Sequence, residues 1–192
     1  MDAQFRDDAC RSGDVLTGPA PGFLSAEAPG QALVVGCGES DDVVWLARRG
    51  WLVTAVDPSY ARLQRAIARS AGIASGSVAW ARADVSLAPL PARSFDLVCV
   101  RHLLLPRGSG ARVWGRLLAA VAPGGTLLIS GTGAAQTHGE GGQDEAGFCQ
   151  VSDVAELLDD RWSVVVHETR PQADRAGVAS AHEAVLRARR LA

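Results

Sequence analysis

Short apolar runs alternate with helix-patterned stretches along most of this chain, and that alternation restricts the fold more than any other feature. Continuous apolar runs of four to six residues suit strands buried on both faces, and helices placed between them supply the parallel crossovers. Residues 32–35, 52–56, 78–82, 95–100 and 126–130 read as such strands. DDVVWLARR, SYARLQRAIARSAG and SGARVWGRLLAAVA place apolar side chains three to four apart, which predicts helices with Ser59 and Ser109 as N-caps. Pro89 and Pro91 break the stretch around residues 86–92, and the third helix should stop sharply at APGG, since Pro123 cannot continue it. VSDVAELLDD then predicts a short helix capped by Ser152. WSVVVHETR and HEAVLRARR read as a terminal strand hairpin around the polar stretch 172–181.

A chain of 192 residues is one domain's worth and can bury its own core without a disulfide or metal staple. All 19 basic residues are arginine, dispersed against 21 acids. That balance argues against nucleic acid or an anionic membrane as partner. The absence of lysine removes Schiff-base and P-loop lysine chemistry. An acidic N-terminus, no long apolar run and four cysteines without a C-x-x-C pair lead us to expect a soluble, cytoplasmic protein. Residues 131–150 hold six glycines and read as a flexible loop, either a lid or disordered.

The first strand ends at Gly36-Cys37-Gly38 and turns into a helix, so backbone amides without Cβ obstruction face a ligand there. A dinucleotide-binding G-x-G-x-x-G would need glycine at 41, where Asp41 stands, which weakens an oxidoreductase reading. Asp57 ends the second strand, 21 residues after Gly36, the spacing at which a carboxylate accepts a ribose diol. Asp84 ends the third. Three neighbouring strands thus deliver a glycine loop and two acids to one carboxyl edge, which points to an adenosine-containing ligand.

VVGCGESDDVVWLARRGWLVTAVDPS, ARADVS, SFDLVCVRHLLLP, APGGTLLISG and HEAVLRARRL together resemble the successive motifs of the class I S-adenosylmethionine-dependent methyltransferases. The resemblance extends over nearly the whole chain and is nearest to the small tellurite-resistance and thiol-methyltransferase-like branch, which carries GEGRDAVWLARRGW where this chain has GESDDVVWLARRGW. It implies a single α/β, Rossmann-like domain over 1–192. The sheet would have seven strands in the order 3-2-1-4-5-7-6, strand 7 antiparallel, helices on both faces, and residues 1–30 would serve as a substrate cover. It implies S-adenosylmethionine as cofactor. Gly36, Cys37 and Gly38 would flank its methionine moiety, Asp57 and Pro58 its ribose, and Asp84 and Val85 its adenine. Arg101, also counted with the cofactor contacts, and His102 would face a small-molecule acceptor at the exit of the fourth strand.

Three positions depart from the family pattern. Val34 replaces an acid, Ser40 a glycine, and Asp41 the branch's arginine, with Asp42 following. Acids in a first helical turn satisfy orphan amides and the helix dipole. They also set two anions near the expected place of a methionine carboxylate. The alternative to an active enzyme is therefore a degenerate member with weak or lost cofactor binding, serving as a binding or regulatory module.

Methyl transfer from a sulfonium to an acceptor is an in-line displacement in which the protein mainly aligns and excludes water. His102 is the candidate general base, and His138 lies in the glycine-rich loop. His167 and His182, in the hairpin, read as structural. Cys37 and Cys99 read as packing, whereas Cys10 beside Arg11 has the features of a reactive thiol. Trp45, Trp51, Trp80, Trp114 and Trp162 read as core. No histidine or cysteine spacing suggests a metal.

Overall fold

The computed structural model describes residues 20–24, 26–39, 41–70, 72, 77–101, 103, 105–132, 147–173 and 179–192. In chain order these form α1 (Ala20–Phe23), β1 (Gln31–Val35), a 3-10 turn (Cys37–Glu39), α2 (Asp42–Arg48), β2 (Leu52–Asp57), α3 (Tyr60–Arg69) and β3 (Val78–Arg82). There follow β4 (Phe95–Arg101), α4 (Arg107–Ala120), β5 (Val121–Thr132), α5 (Val151–Glu156), β6 (Trp162–Ala173) and β7 (Ala179–Arg190). The strands make one seven-stranded sheet in the order β3-β2-β1-β4-β5-β7-β6. The first five are parallel, and β7 is antiparallel to both β5 and β6.

Alternation along the central strands builds two cores. Leu33, Val35, Val98, Val100, Leu127 and Ile129 face Val113, Trp114 and Leu117 of α4 and Val154 of α5. Ala32, Val34, Leu97, Cys99 and Leu128 face Val43, Leu46 and Ala47 of α2, Leu63 of α3, and Leu24 just after α1. Val34, at the position where the family has an acid, is fully buried in this second core. Trp45, Trp51 and Trp114 are buried, and Trp80 and Trp162 are partly so.

Ser59 caps α3 as expected, accepting from the Arg62 amide at 3.4 Å. Ser109 does not cap α4, which begins at Arg107 with Pro106 as its N-cap. Tertiary pairing explains the earlier start. The Cys149 amide donates to the Leu105 carbonyl at 2.8 Å, Pro106 bridges Phe148, and a Cβ at Gly110 would collide with Cys149 Sγ. Ser152 is likewise not a cap: Gln150 is, and its amide donates to the Asp153 carboxylate at 2.7 Å. Helix α4 ends at Ala120, two residues before the expected limit, because Val121 already pairs with Phe95. Residues 122–125 then bulge out, with Gly124 at φ +74°, before the ladder resumes at Thr126 opposite Leu97.

Candidate functional site

Register brings the candidate residues together. Val35 lies opposite Val56 on one side and Val100 on the other, so the next residues, Gly36, Asp57 and Arg101, form a row at the carboxyl edge. Gly36 has φ +76° and donates its amide to the Val56 carbonyl at 3.0 Å; a Cβ there would run into the Arg101 carbonyl. Only glycine combines that torsion with that approach. Gly38 is equally tight, since a Cβ would strike Arg62 Cβ and come within 2.9 Å of Asp57 Oδ2.

Asp57 is buried, 1% exposed, and backbone amides hold both of its oxygens. Gly38 donates to Oδ2 at 3.2 Å and Ser59 to Oδ1 at 2.8 Å. The glycine loop is thereby fastened to the end of β2. A carboxylate has about four acceptor sites, so each oxygen keeps a lone pair for a further donor. Pro58, next in the chain, is exposed, and its carbonyl accepts from Arg82 Nε at 3.2 Å.

Asp84 stands exposed beyond β3. Hydrogen bonding from Ser86 holds its carboxyl below the usual range, burial opposes this weakly, and Arg116 adds a smaller lowering. The Ser86 amide donates to Asp84 Oδ1 at 2.8 Å. Val85 turns into the α4-side core, while Arg116 donates to the Val85 carbonyl at 3.1 Å and the Ser86 carbonyl at 2.6 Å. Arg116 thus braces the segment that carries Asp84, a role no local pattern announced.

Both aspartates that threatened the loop with negative charge have arginine partners. Asp41 makes no side-chain cap on α2, contrary to the capping account. Its Oδ1 lies 3.6 Å from Arg69 Nε. Asp42 is fully buried, with Oδ2 3.8 Å from Arg101 Nη1, and the Cys99 thiol donates to the same oxygen at 3.8 Å. Arg101 is itself buried. Burial first, then Asp57, pushes the Cys37 thiol up to about 12, and burial with Asp42 lifts Cys99 well above the ordinary value. Neither is a thiolate at neutral pH, so both serve packing, as expected.

The segment entering β1 crosses the α2 face of the sheet. Arg170 lies 4.9 Å over the Phe23 ring and is paired with Glu183 at 2.8 Å, near the carboxyl edge. Glu27 takes Arg187 and the Thr126 hydroxyl near the amino edge. The first described residues therefore lie toward the carboxyl edge. Ser40, His102, His138, Cys10, Arg11 and the loop residues 133–146 lie outside the described residues. His167 and His182 are both on the hairpin. Among the described residues no group of three or more His, Cys, Asp or Glu could hold a metal ion, and no helix is long and apolar enough to cross a membrane.

Strand order 3-2-1-4-5-7-6, with a glycine turn after β1 and an acid ending β2, defines a Rossmann-like fold of the class I methyltransferase type. Residues 32–125 match the methyltransferase domain family. An uncharacterized methyltransferase of Mycobacterium tuberculosis is 38% identical over 97 residues, 50% of this chain and 48% of that protein. The chain thus matches about half the length of its curated relatives. Among solved structures, N-methyltransferase NodS from Bradyrhizobium japonicum superposes with TM-score 0.71 at 20% identity, covering 100% of this chain and 99% of that one. The 1,6-didemethyltoxoflavin-N1-methyltransferase of Burkholderia thailandensis gives TM-score 0.68 at 22% identity, covering 98% and 83%.

Proposed function

We propose that this protein transfers a methyl group from S-adenosylmethionine to a small soluble acceptor by in-line displacement. The observation that carries this reading is the row of Gly36, Asp57 and Arg101 at adjacent strand ends, with Gly38 too close to Asp57 and Arg62 for any side chain. NodS and the toxoflavin methyltransferase have been solved with S-adenosylhomocysteine, and the second with its small-molecule substrate as well. When bound, the cofactor supplies an electrophilic sulfonium methyl. The residues of this chain supply alignment. Gly36, Cys37 and Gly38 present backbone to the methionine end, Asp57 beside Pro58 accepts the ribose diol, and Asp84 with Val85 borders the adenine. Arg101 closes the acceptor side.

His102, next after Arg101, is the group we assign to deprotonating a hydroxyl or nitrogen acceptor; a thiolate acceptor would need no base. Residues 1–30 and the loop within 131–150 are the material from which an acceptor cover is made, and the start of the described chain at the carboxyl edge agrees with that role. The tellurite-resistance and thiol-methyltransferase-like branch stays our assignment on the GESDDVVWLARRGW motif. A degenerate binding module, suggested by Val34, Ser40 and Asp41, is not favoured: Val34 is packed in the core, and Asp41 and the following Asp42 lie 3.6 Å from Arg69 and 3.8 Å from Arg101.

Calorimetric titration with S-adenosylmethionine and S-adenosylhomocysteine tests the reading. Binding of the product at micromolar to sub-millimolar concentration is expected, and no heat at about 1 mM, a limit of roughly 4 kcal/mol of affinity, would overturn it.

A further inference from the structure

Residues 84–88 form a hydrogen-bonded turn after β3, in which the Leu87 and Ala88 amides donate to the Asp84 carbonyl at 3.0 and 2.8 Å. The Ser86 amide donates to Asp84 Oδ1 at 2.8 Å, and Val85 is anchored in the α4-side core. The far end of the turn is closed differently. In a helical continuation the Val85 carbonyl would take the amide of residue 89, but Pro89 has none. Arg116 of α4 brings donors there instead. Its Nη2 donates to the Val85 and Ser86 carbonyls at 3.1 and 2.6 Å, and its Nη1 to the Ala88 carbonyl at 3.4 Å. One planar guanidinium thus closes the turn that Asp84 opens, and its rigid fork fixes the orientation of the turn as well as its place. Its charge adds to the hydrogen bonds from Ser86, the larger effect, in holding the Asp84 carboxyl below the ordinary range.

We propose that Arg116 is a positioning residue for recognition of the base: by closing the 84–88 turn it presents the Asp84 carboxylate to the exocyclic amino group of adenine, and so selects adenine over a purine with a carbonyl at that carbon. The proposal rests on the S-adenosylmethionine reading above. A carboxylate has about four acceptor sites, more than Ser86 can fill. An amino group brings donors to them, whereas a carbonyl oxygen sets lone pairs against the negative charge, so discrimination depends on the carboxylate being held at one angle. Arg116 acts through the turn by setting that angle.

The test compares dissociation constants, on the full chain, for S-adenosylhomocysteine and S-inosylhomocysteine, which carries oxygen in place of the amino group. Wild type should prefer the adenine compound by at least about tenfold. Arg116→Met keeps the reach of the side chain and removes its donors. It should weaken S-adenosylhomocysteine about tenfold and S-inosylhomocysteine less than about threefold, so that most of the preference is lost, a split that general loosening of the protein would not produce. Arg116→Lys keeps the charge without the planar fork, and its preference should fall between those of wild type and Arg116→Met. Equal loss of both ligands, an unchanged preference in the variants, or a wild type that does not discriminate overturns the proposal while leaving the cofactor reading standing. Where circular dichroism shows Arg116→Met unfolded, Arg116→Lys decides: a reduced preference supports the proposal and a wild-type preference overturns it. Wild-type protein that binds neither compound overturns both.

Discussion

The exits of β1 and β3 lie two strands apart on one edge of the sheet, close enough for a single nucleoside to bridge, yet they are built in opposite ways. At β1 the backbone is fixed from every side: Gly36 lies against the Arg101 carbonyl, Gly38 is hydrogen-bonded to Asp57, and Asp42 is sealed beneath with Arg101 and Cys99. At β3 the acid is exposed and shaped by its own sequence, through Ser86 two residues on. A buried acid is tolerated only when paired or hydrogen-bonded, so the β1 exit is formed before any ligand arrives. The β3 exit leaves its carboxylate exposed, held by the neighbouring Ser86 amide.

That contrast should appear first in stability. Asp42→Ala removes the buried carboxylate that lies 3.8 Å from the Arg101 guanidinium, a kind of change that typically costs about 3 to 5 kcal/mol. Urea unfolding of the variant measures it. A loss no larger than that of an exposed substitution would erase the distinction between the two exits.

Gly36→Ala comes next. The left-handed torsion costs an alanine about 1 kcal/mol or more, and the Cβ meets a backbone carbonyl that cannot rotate away. We expect about 2 to 4 kcal/mol of destabilisation and loss of cofactor binding in calorimetry. Wild-type affinity in this variant would mean that the loop readily takes another path.

Asp57→Ala separates stability from function. It strips acceptors from the Gly38 and Ser59 amides and from the proposed ribose contact. Hydrogen bonds to a charged group contribute roughly 1.5 to 3 kcal/mol, so S-adenosylhomocysteine affinity should fall by about one to two powers of ten. Unchanged affinity would remove Asp57 from the site and leave it a purely structural acid.

The same contrast explains what could be read from the amino-acid sequence. The β1, β2, β4 and β5 strands were legible because parallel strands buried on both faces are continuous apolar runs, and the hairpin because a polar stretch separates its two strands. Gly36, Asp57 and Asp84 were legible because strand ends and a glycine turn are local signals. The partnerships of Asp41 with Arg69 and Asp42 with Arg101 were not, since each depends on strands and helices distant in sequence becoming neighbours; locally both acids looked like first-turn residues. Ser109 and Ser152 failed as caps for a related reason. The 105–106 stretch pairs with 148–149, and that long-range contact sets where α4 and α5 begin. Arg116 carried no local mark either, because its targets lie about 30 residues back in the chain.

The smallest expected effect belongs to Asp84, and its value lies in pH dependence. Asp84→Asn keeps a side-chain oxygen for the Ser86 amide but removes the charge, so at neutral pH stability should change by no more than about 0.5 kcal/mol, as for most exposed substitutions. The carboxyl in the folded protein titrates below its ordinary value. The unfolded chain therefore takes up the proton first as pH falls. The contribution of the ionised group is present at neutral pH and lost as pH drops through the folded value, below about pH 4. Melting temperatures of wild type and Asp84→Asn should differ slightly at pH 7 and converge toward pH 3. A gap that stays constant across that range would show that the β3 exit gains nothing from the charge. In that case the two exits would differ in burial alone and not in how each stabilises its acid.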